Sequence, residues 1–177
     1  MFIRHAGEAD IPTINRLAHH IWWPTYRDVI SAEQISFMLQ NMYSEEALKV
    51  QMNKGVSFLL GERDAVPVAF AGFSFKGFEE QVYKLEKLYI LPSEQGKGSG
   101  KQLIEHVAGL AKAQGGKVLE LNVNRGNPAF GFYKKLGFEV YQTVDIPYYQ
   151  FVLNDYVMRK TLQETQGDCS DPSRTSG

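Results

Sequence analysis

The sequence has few of the residues that form disulfides and metal centres. It contains 1 cysteine and 4 histidines among 177 residues. A lone thiol, Cys169, permits neither an internal disulfide nor a site with paired thiolate ligands. His19 and His20 are adjacent on a predicted helix, so their side chains point in different directions and do not form a pair of ligands. We therefore expect no structural disulfide and no metal.

The sequence also lacks a long apolar run and an excess of either charge. No apolar stretch approaches the roughly 20 residues that a membrane-spanning helix needs. The first segment, "MFIRHAGEADIP", carries acidic residues where a signal peptide has its apolar region. The formal net charge is −1, and no basic tract is present to follow a nucleic-acid backbone. These features predict a cytoplasmic protein that binds neither a membrane nor nucleic acid.

The length and composition fit one domain. Of the 177 residues, 44% are hydrophobic, which is enough to form a continuous core. The sequence shows no internal repeat and no interdomain linker. We assign residues 1–162 to a single domain and residues 163–177, "QETQGDCSDPSRTSG", to a polar tail that we expect to be flexible.

Hydrophobic periodicity predicts that strands alternate with helices. A first strand, "MFIRHA", precedes a helix with Asp10 as its N-cap and Pro12 in its first turn. Ser31, with Gln34 as its partner in a capping box, and Ser44 are predicted to begin two further helices. The remaining elements are a hairpin of "GVSFLLGE" and "VPVAFAGFSFKG", the strand "QVYKLEKLYILP", a helix over residues 98–114, the strand "KVLELNVN", the helix "NPAFGFYKKLG", and the strands "FEVYQT" and "QFVLNDYVMRKTL". This order predicts an α/β (α+β) fold.

A glycine-rich segment, "EQGKGSGK", lies between the apolar strand and the next helix. Glycines at positions 96, 98 and 100 remove side chains where the strand turns into the helix. Successive backbone N–H groups are then able to close around an anion, and the helix N-terminus adds partial positive charge. A phosphate or diphosphate fits this geometry, with Lys97 and Lys101 as additional positive charges. The alternative is a glycine-rich turn without a ligand.

Two common phosphate-binding patterns do not match this segment. A P-loop requires Ser or Thr after Gly-Lys, and here Gln102 follows Lys101. The dinucleotide-binding pattern G-x-G-x-x-G is also unmatched, because the third glycine comes one residue early. The sequence therefore disfavours both a nucleotide-hydrolase loop and a Rossmann site.

The segment resembles the acyl-CoA loop of the GCN5-related N-acetyltransferase (GNAT) family, [QR]-x-x-G-x-[GA] after an apolar strand, which Gln95, Gly98 and Gly100 satisfy. A second segment, "LNVNRGNPAFGFYKKLGF" over residues 121–138, is similar to the second CoA-binding segment of this family. The resemblance covers residues 2–162. It implies a single-domain fold with a mixed, mostly antiparallel twisted sheet of six to seven strands, flanked by helices, whose central strands splay to form an acyl-CoA groove.

The resemblance also implies the cofactor and the residues that bind it. Acetyl-CoA is the expected cofactor and CoA the product. Leu88, Tyr89 and Ile90 are expected to present backbone groups to the pantetheine arm. Either Asn124 or Asn127 contacts the same arm, because the spacing in "NPA" departs from the usual family pattern. The pyrophosphate is expected at the following residues: Gln95, Gly96, Lys97, Gly98, Ser99, Gly100 and Lys101.

Acyl transfer to an amine requires a proton donor for the departing thiolate and a proton acceptor for the amine. Tyr133 is the candidate donor, because a phenol stays protonated at neutral pH, although an aromatic residue on the last helix also suits the core. Glu86 is the candidate acceptor, because a regular strand places it on the face of Leu88 and Ile90. A solvated ion pair is the alternative for Glu86. The backbone N–H near Leu88 would polarise the carbonyl if a bulge opened the strand.

The acceptor site is expected on the helices that follow the first strand. Trp22, Trp23 and Tyr26 are candidate walls for an alkyl amine, although large aromatic residues at this spacing more often pack in a core. The segment "SAEQISFMLQNMYSEEAL" is most similar to the spermidine/spermine N-acetyltransferase branch. Five acidic residues are expected at the rim: Glu33, Glu45, Glu46, Glu79 and Glu80.

These features predict an acetyl-CoA-dependent N-acetyltransferase that acts on a small primary amine, in particular a polyamine. The reaction is expected to proceed by direct attack in a ternary complex, in a monomer or a homodimer. The alternatives are a non-catalytic acyl-CoA-binding sensor and an acetyltransferase for N-terminal or other protein amines.

Overall fold

Seven strands and five helices make up residues 1–162, the part of the chain that the computed structural model describes. The strands are β1 (Phe2–Ala6), β2 (Ser57–Arg63), β3 (Val66–Gly77), β4 (Val82–Ile90), β5 (Val118–Asn124), β6 (Glu139–Tyr148) and β7 (Phe151–Thr161). The helices are α1 (Ile11–Tyr26), α2 (Ala32–Tyr43), α3 (Glu45–Asn53), α4 (Ser99–Ala113) and α5 (Ala129–Lys135). The tail predicted for residues 163–177, which includes Cys169, lies outside the described residues.

The strands form one sheet in the order β1-β2-β3-β4-β5-β7-β6. Strands β4 and β5 are parallel, and the other five neighbouring pairs of the described chain are antiparallel. Helix α4 connects the parallel pair, since parallel neighbours need a crossover. The predicted mixed, mostly antiparallel sheet is confirmed.

Two hydrophobic cores cover the two faces of the sheet. Along β2, Phe58 and Leu60 belong to one core and Leu59 to the other, as the alternation of side chains along a strand requires. Helices α1, α2 and α3 pack on the first face, which we call the α1–α3 face. Helices α4 and α5 pack on the second, the α4–α5 face.

The beginnings of the first helices follow the predicted caps, with one difference. Ser31 Oγ accepts a hydrogen bond from Gln34 N at 3.1 Å, and Ser44 Oγ accepts one from Ala47 N at 3.2 Å. Asp10 does occupy the N-cap position of α1, but its carboxylate makes no capping bond to that helix. It accepts hydrogen bonds from Arg4 and from Gly7 N instead, so Asp10 ties β1 to the start of α1.

The sheet opens between its two parallel strands. Strands β4 and β5 pair only over Val82–Leu85 and Val118–Leu121, although β4 continues to Ile90. On the other side of β4, Leu85 pairs with Phe73 and Lys87 with Gly72, so Glu86 is the extra residue of a β-bulge. The bulge and the separation of the strands occur at the same point. The splayed strands implied by the family resemblance are confirmed, and the bulge, considered only as a condition for exposing the N–H near Leu88, lies at Glu86.

Two glycines, one inside α4 and one just after its C-terminus, are predicted to affect stability in opposite directions when replaced by alanine. A Cβ at Gly116 would lie 2.7 Å from Tyr83 Cδ2 and 2.8 Å from the backbone oxygen of Ala111, whereas a Cβ at the exposed Gly109 would meet nothing within 4 Å. We expect Gly116→Ala to destabilise the fold by about 1–3 kcal/mol through overpacking. Gly109→Ala should stabilise it by about 0.5–1 kcal/mol, because alanine favours the helix. Urea unfolding of both variants measures the two effects, and equal midpoints would contradict the packing described for α4.

Candidate active site

A cavity of about 820 Å³ opens where β4 and β5 separate. Its walls come from α1, the second half of β4, the loop before α4, the first turn of α4, β5 and α5. Predicted site residues that line it are Tyr26, Glu86, Leu88, Tyr89, Ile90, Gln95, Gly96, Gly98, Ser99, Gly100, Lys101, Asn127 and Tyr133. The structure therefore brings both sequence motifs to one cavity.

The glycine-rich loop forms one end of the cavity. Gly96 and Gly98 have positive φ angles of 80° and 76°, a conformation that side chains other than glycine rarely adopt. Gly98 is the N-cap of α4, whose first N–H groups have no partners within the helix. A Cβ at Gly100 would lie 3.0 Å from Ile90 Cδ1 and 3.1 Å from Phe132 Cζ. Gly100 thus packs tightly against these two side chains, whereas a Cβ at Gly96 or Gly98 would meet nothing within 4 Å. The open space beside the backbone of Gly96 and Gly98, at the N-terminus of α4, fits the diphosphate of a CoA molecule.

A buried carboxylate holds this loop in place. Glu94 is 4% exposed and accepts hydrogen bonds from Arg63 Nε at 2.9 Å and Ser99 Oγ at 3.1 Å. Burial alone would raise the pKa of Glu94, but the bonds from Arg63 and Ser99 hold it below its usual value. Lys97 also turns toward Glu94, with Nζ 3.4 Å from Oε1, and is not among the cavity-lining residues. Of the two predicted lysines, Lys101 lines the cavity.

Hydrogen bonds connect the two sides of the opening. The hydroxyl groups of Tyr26 on α1 and Tyr89 on β4 are 3.1 Å apart, and Asn127 Nδ2 donates to Tyr26 Oη at 3.3 Å. Asn127 Oδ1 also accepts from Ala129 N at the start of α5. Asn124 instead accepts from Gly126 N and does not line the cavity. Of the two asparagines left open by the sequence, the structure places Asn127 at the cavity.

Tyr133 lies at the α5 wall of the cavity and is 8% exposed. Its ring packs against Phe132 and Phe138 on the α4–α5 face. Burial raises the pKa of the Tyr133 phenol well above its ordinary value, and the nearby Tyr26 adds to this effect. The phenol therefore keeps its proton at neutral pH, as a proton donor must before it acts.

Glu86 lines the cavity, but not on the predicted face. Leu85, Leu88 and Ile90 all contact the α4–α5 core, so two residues separate Leu85 from Leu88 on the same face. The bulge at Glu86 accommodates the extra residue and ends the simple alternation. Glu86 accepts a hydrogen bond from Ser74 Oγ at 2.9 Å and is exposed. The expectation that Glu86 shares a face with Leu88 and Ile90 is therefore wrong.

Lys87 is a cavity residue that the sequence analysis did not select. It is 6% exposed, and its Nζ lies 5.1 Å from the centroid of the Tyr43 ring. Burial lowers the pKa of Lys87 to about 8; Glu86 partly opposes this shift, and Lys84 adds to it. The available signal was a lysine within the apolar strand that precedes the glycine-rich segment, because a charged residue is almost never fully buried unless it is paired.

A second carboxylate lies near the β5 wall. Asp155 on β7 pairs with Asn124 in the sheet, and its side chain is bonded to Asn122, which lines the cavity. Burial raises the pKa of Asp155, while the bond to Asn122 and the charges of Lys84 and Arg125 oppose the rise. Glu86 lines the cavity itself, whereas Asp155 lies outside its lining, behind the β5 wall.

Of the three aromatic residues predicted to form the acceptor wall, one lines the cavity and two pack in the core. Tyr26 lines the cavity. Trp22 is 4% exposed and packs against Tyr26 and Tyr43, with ring centroids 4.4 and 5.5 Å away. Trp23 is partly buried against the same core and does not line the cavity. The aromatic spacing thus reflects packing on the α1–α3 face more than an acceptor wall.

The acidic residues expected at the rim are exposed and outside the cavity lining: Glu33, Glu45, Glu46, Glu79 and Glu80. Glu80 pairs with Arg159 at 2.5 Å. Within residues 1–162, no group of three or more His, Cys, Asp or Glu side chains is placed to hold a metal ion. None of the described helices is long and apolar enough to cross a membrane.

Comparison with known proteins agrees with the geometry of the cavity. Residues 16–138 match the model of the Acetyltransferase (GNAT) family. A spermidine N(1)-acetyltransferase from Thermoplasma acidophilum is 29% identical over 167 residues, which cover 91% of this chain and 97% of that protein. A peptidyl-lysine N-acetyltransferase, YjaB, from Salmonella typhimurium is 46% identical over 57 residues, or 32% of this chain and 36% of that protein.

Solved structures show the same fold. The PaiA N-acetyltransferase from Thermoplasma acidophilum, in complex with coenzyme A, has a TM-score of 0.77 and 28% identity. That comparison covers 90% of this chain and 98% of the other. A GCN5-related N-acetyltransferase from Rhodopseudomonas palustris has a TM-score of 0.78 at 22% identity, covering 91% and 95% of the two chains.

Gly98 tests the role of the loop. We expect Gly98→Asp to abolish acetyl-CoA binding while the protein stays folded, because a carboxylate would enter the anion site and the positive φ would strain the backbone. Gly55→Asp is the matched control: its φ is also positive, at 99°, and it lies outside the cavity lining. Calorimetric titration with acetyl-CoA compares the two variants. Wild-type affinity in Gly98→Asp would refute the assignment of the loop.

The lowered pKa of Lys87 predicts how the free energy of unfolding depends on pH. Its pKa in the folded protein, about 8, is below the value of 10.5 expected for an unfolded chain. Below pH 8 both states are charged and the folded state bears the cost of burying the charge; this cost disappears as the pH rises toward 10.5. We therefore expect Lys87→Met to be more stable than wild type by about 1–3 kcal/mol at pH 7. The difference should shrink above pH 8.

The matched control for this measurement is Lys84→Met, on the same strand and outside the cavity lining. Urea unfolding at a series of pH values measures all three proteins. If Lys87→Met were less stable than wild type at pH 7, Lys87 would carry a stabilising ion pair in place of an unfavourable buried charge.

Proposed function

Because this chain belongs to the GNAT family and is an N-acetyltransferase, we propose that it transfers the acetyl group of acetyl-CoA to a small primary amine, with a polyamine as the acceptor. The resemblance predicted from "EQGKGSGK" and "LNVNRGNPAFGFYKKLGF" is confirmed by the family match. The observation that carries the proposal is one cavity that contains both the glycine-rich loop and the buried phenol of Tyr133.

The cavity residues suit acetyl-CoA. Backbone N–H groups at Gly98 and Gly100, at the N-terminus of α4, line the cavity and would hold the diphosphate. The edge of β4 beyond Leu85 has no ladder to β5, so its backbone groups are free to bond the pantetheine arm. When bound, acetyl-CoA supplies the acyl group as an activated thioester. The coenzyme A complex of the PaiA relative supports this assignment.

The residues at the bulge have separate tasks in the transfer. The N–H of Leu88 lies just past the bulge, where β4 leaves β5, and would donate to the acetyl carbonyl oxygen. Tyr133 would give its proton to the departing sulfur, since burial keeps the phenol protonated. Glu86 would take the proton of the amine, directly or through water held near Asn122. One cavity holds the glycine-rich loop, Glu86 and Tyr133, so both substrates would meet in it, which supports direct attack in a ternary complex.

A polyamine acceptor rests on two observations. The Thermoplasma relative that covers 91% of this chain is named a spermidine N(1)-acetyltransferase. Glu86 places a carboxylate in the cavity lining, and Asp155 lies behind the β5 wall beside Asn122. Negative charge here favours an acceptor with several ammonium groups. The shorter match to a peptidyl-lysine N-acetyltransferase supports a second candidate, a protein lysine. Both acceptors present a primary alkyl amine.

Tyr133 separates an enzyme from a protein that only binds acyl-CoA. We expect Tyr133→Phe to bind acetyl-CoA as tightly as wild type and to lower kcat by about 10²–10⁴-fold, since the proton donor is lost. Tyr156→Phe is the control, because Tyr156 packs against Phe130 outside the cavity lining. Thiol release with a saturating amine gives kcat. An unchanged kcat in Tyr133→Phe would assign the proton transfer to water or to another group.

Ionic strength tests the charge of the acceptor. If carboxylates attract a polycation, the apparent KM for spermidine should rise about three- to tenfold between low salt and about 0.3 M, because salt of about 0.1 M screens charges beyond roughly 10 Å. The KM for an uncharged amine should stay constant. Equal kcat/KM for spermidine and a neutral monoamine, without salt dependence for either, would contradict the polyamine assignment and leave a general amine acetyltransferase.

A further inference from the structure

Lys87 is a buried amine that has no partner of opposite charge. The residue lines the cavity and is 6% exposed. Among the described residues, no carboxylate lies within 4.0 Å of Lys87 Nζ; the near contact is the face of the Tyr43 ring. A buried ammonium is normally paired, because removing it from water is unfavourable. Burial of the charged Lys87 ammonium is therefore unfavourable for folding, and no ion pair offsets it.

The bulge places Lys87 on the side of the opening from which an acceptor would approach. Leu85 and Leu88 contact the α4–α5 core, whereas Lys87 reaches Tyr43 of α2, on the α1–α3 face. The acyl-CoA loop and α4 lie on the α4–α5 face, so CoA would enter from the side opposite to Lys87. Lys87 directly precedes Leu88, whose N–H we assign to the acetyl carbonyl. The amine and the thioester would meet at the same point of β4.

The surroundings of Lys87 favour its nucleophilic form. The charged groups near it are Glu86 and Lys84 of the same strand. The phenols that face this region, Tyr43 on α2 and Tyr89 on β4, have pKa values raised by burial and carry no charge at neutral pH. A lysine with a pKa of about 8 is neutral in a far larger share of the molecules at pH 7.5 than an ordinary lysine.

We propose that Lys87 is an internal acetyl acceptor, which takes the acetyl group of bound acetyl-CoA when no external amine occupies the cavity. The inference rests on the proposed function, because it uses the same thioester and the same proton donor. A lysine side chain is itself a primary alkyl amine, so it belongs to the acceptor class of the enzyme. Lys87 thus occupies the acceptor side of the cavity as a built-in competitor of the substrate.

The step is balanced in atoms and charge. The lone pair of neutral Lys87 Nζ attacks the carbonyl carbon, forming a C–N bond while the C–S bond breaks. The sulfur leaves as a thiol with a proton from Tyr133, and the proton lost by the nitrogen passes to Glu86 or to water. The products are CoA and an Nε-acetyl amide at Lys87. The amide is uncharged, so the modification removes the cost of the buried ammonium.

The modification has a functional consequence. An acetyl group on Lys87 would remain on the acceptor side of the cavity and exclude an external amine. A saturating external amine would in turn protect Lys87, because the two compete for one thioester. Self-acetylation would therefore lower activity when acetyl-CoA is abundant and the acceptor is scarce.

The proposal is tested with acetyl-CoA whose acetyl group carries deuterium, so that transfer of this group to the chain is detected by its mass. The wild-type chain is incubated with this probe without an amine, and peptides are mapped by mass spectrometry over time. We expect one label per chain at Lys87, at least about tenfold faster than at Lys84, because Lys87 lines the cavity and burial favours its neutral, nucleophilic form, whereas Lys84 lies outside the lining. Tyr133→Phe should slow labelling of Lys87 in the same proportion as turnover, which spontaneous acetylation would not show.

Two further arms separate this inference from the proposed function. Excess spermidine should suppress the label at Lys87 and leave that at Lys84 unchanged, and Lys87→Arg should show no single preferred site. If the enzyme acetylates added amines while Lys87 is labelled no faster than Lys84, the internal acceptor is refuted and the proposed function stands. If neither Lys87 nor any amine receives the label although acetyl-CoA binds, both are refuted and the chain is an acyl-CoA-binding protein.

Discussion

The separation of β4 from β5 beyond Leu85 is the constraint on which the site depends. A parallel pair that stops pairing halfway leaves backbone donors and acceptors on β4 that must find other partners. Side chains bridge the gap: the hydroxyl of Tyr26 on α1 bonds to that of Tyr89 on β4 and to the amide of Asn127 before α5, but these bonds involve no backbone group of β4. The bulge at Glu86 falls at the same point and adds one residue to the strand. The backbone groups left over are those that an extended pantetheine arm, itself rich in amides, is able to bond.

The titratable side chains around this opening differ in protonation state, and burial or hydrogen bonding determines each of them. At the loop, Glu94 is buried but stays ionised because Arg63 and Ser99 bond to it, so it acts as a structural anchor for the diphosphate end. At the centre, burial keeps Tyr133 protonated and shifts Lys87 toward its neutral form. Burial thus favours the neutral form of both groups, a phenol that holds a proton and an amine with a free lone pair, and an acyl transfer to nitrogen uses both.

Local signals in the sequence predicted the elements, the caps and the loop, because these depend on short-range chemistry. Ser31 is an example: its hydroxyl caps a helix in the same four-residue segment. The side-chain directions around Glu86 were predicted wrongly, because a bulge in β4 depends on its pairing with β3 and inverts the alternation. Lys87 was not selected because its burial depends on Tyr43 of α2, which is distant in sequence. Trp22 was considered for the acceptor wall, but its burial is decided by packing among helices that are distant in sequence.

The central claim is that acetyl-CoA occupies the gap between β4 and β5, with its diphosphate at the N-terminus of α4. Amide hydrogen exchange of the free and acetyl-CoA-saturated protein tests it directly. The account predicts slower exchange in two segments, residues 88–90 and residues 96–101, with no change in the turn between β2 and β3, which borders a separate surface cavity at Asp64 and Ala65. Protection confined to the β2–β3 turn, or absent from both predicted segments under saturating ligand, would contradict it.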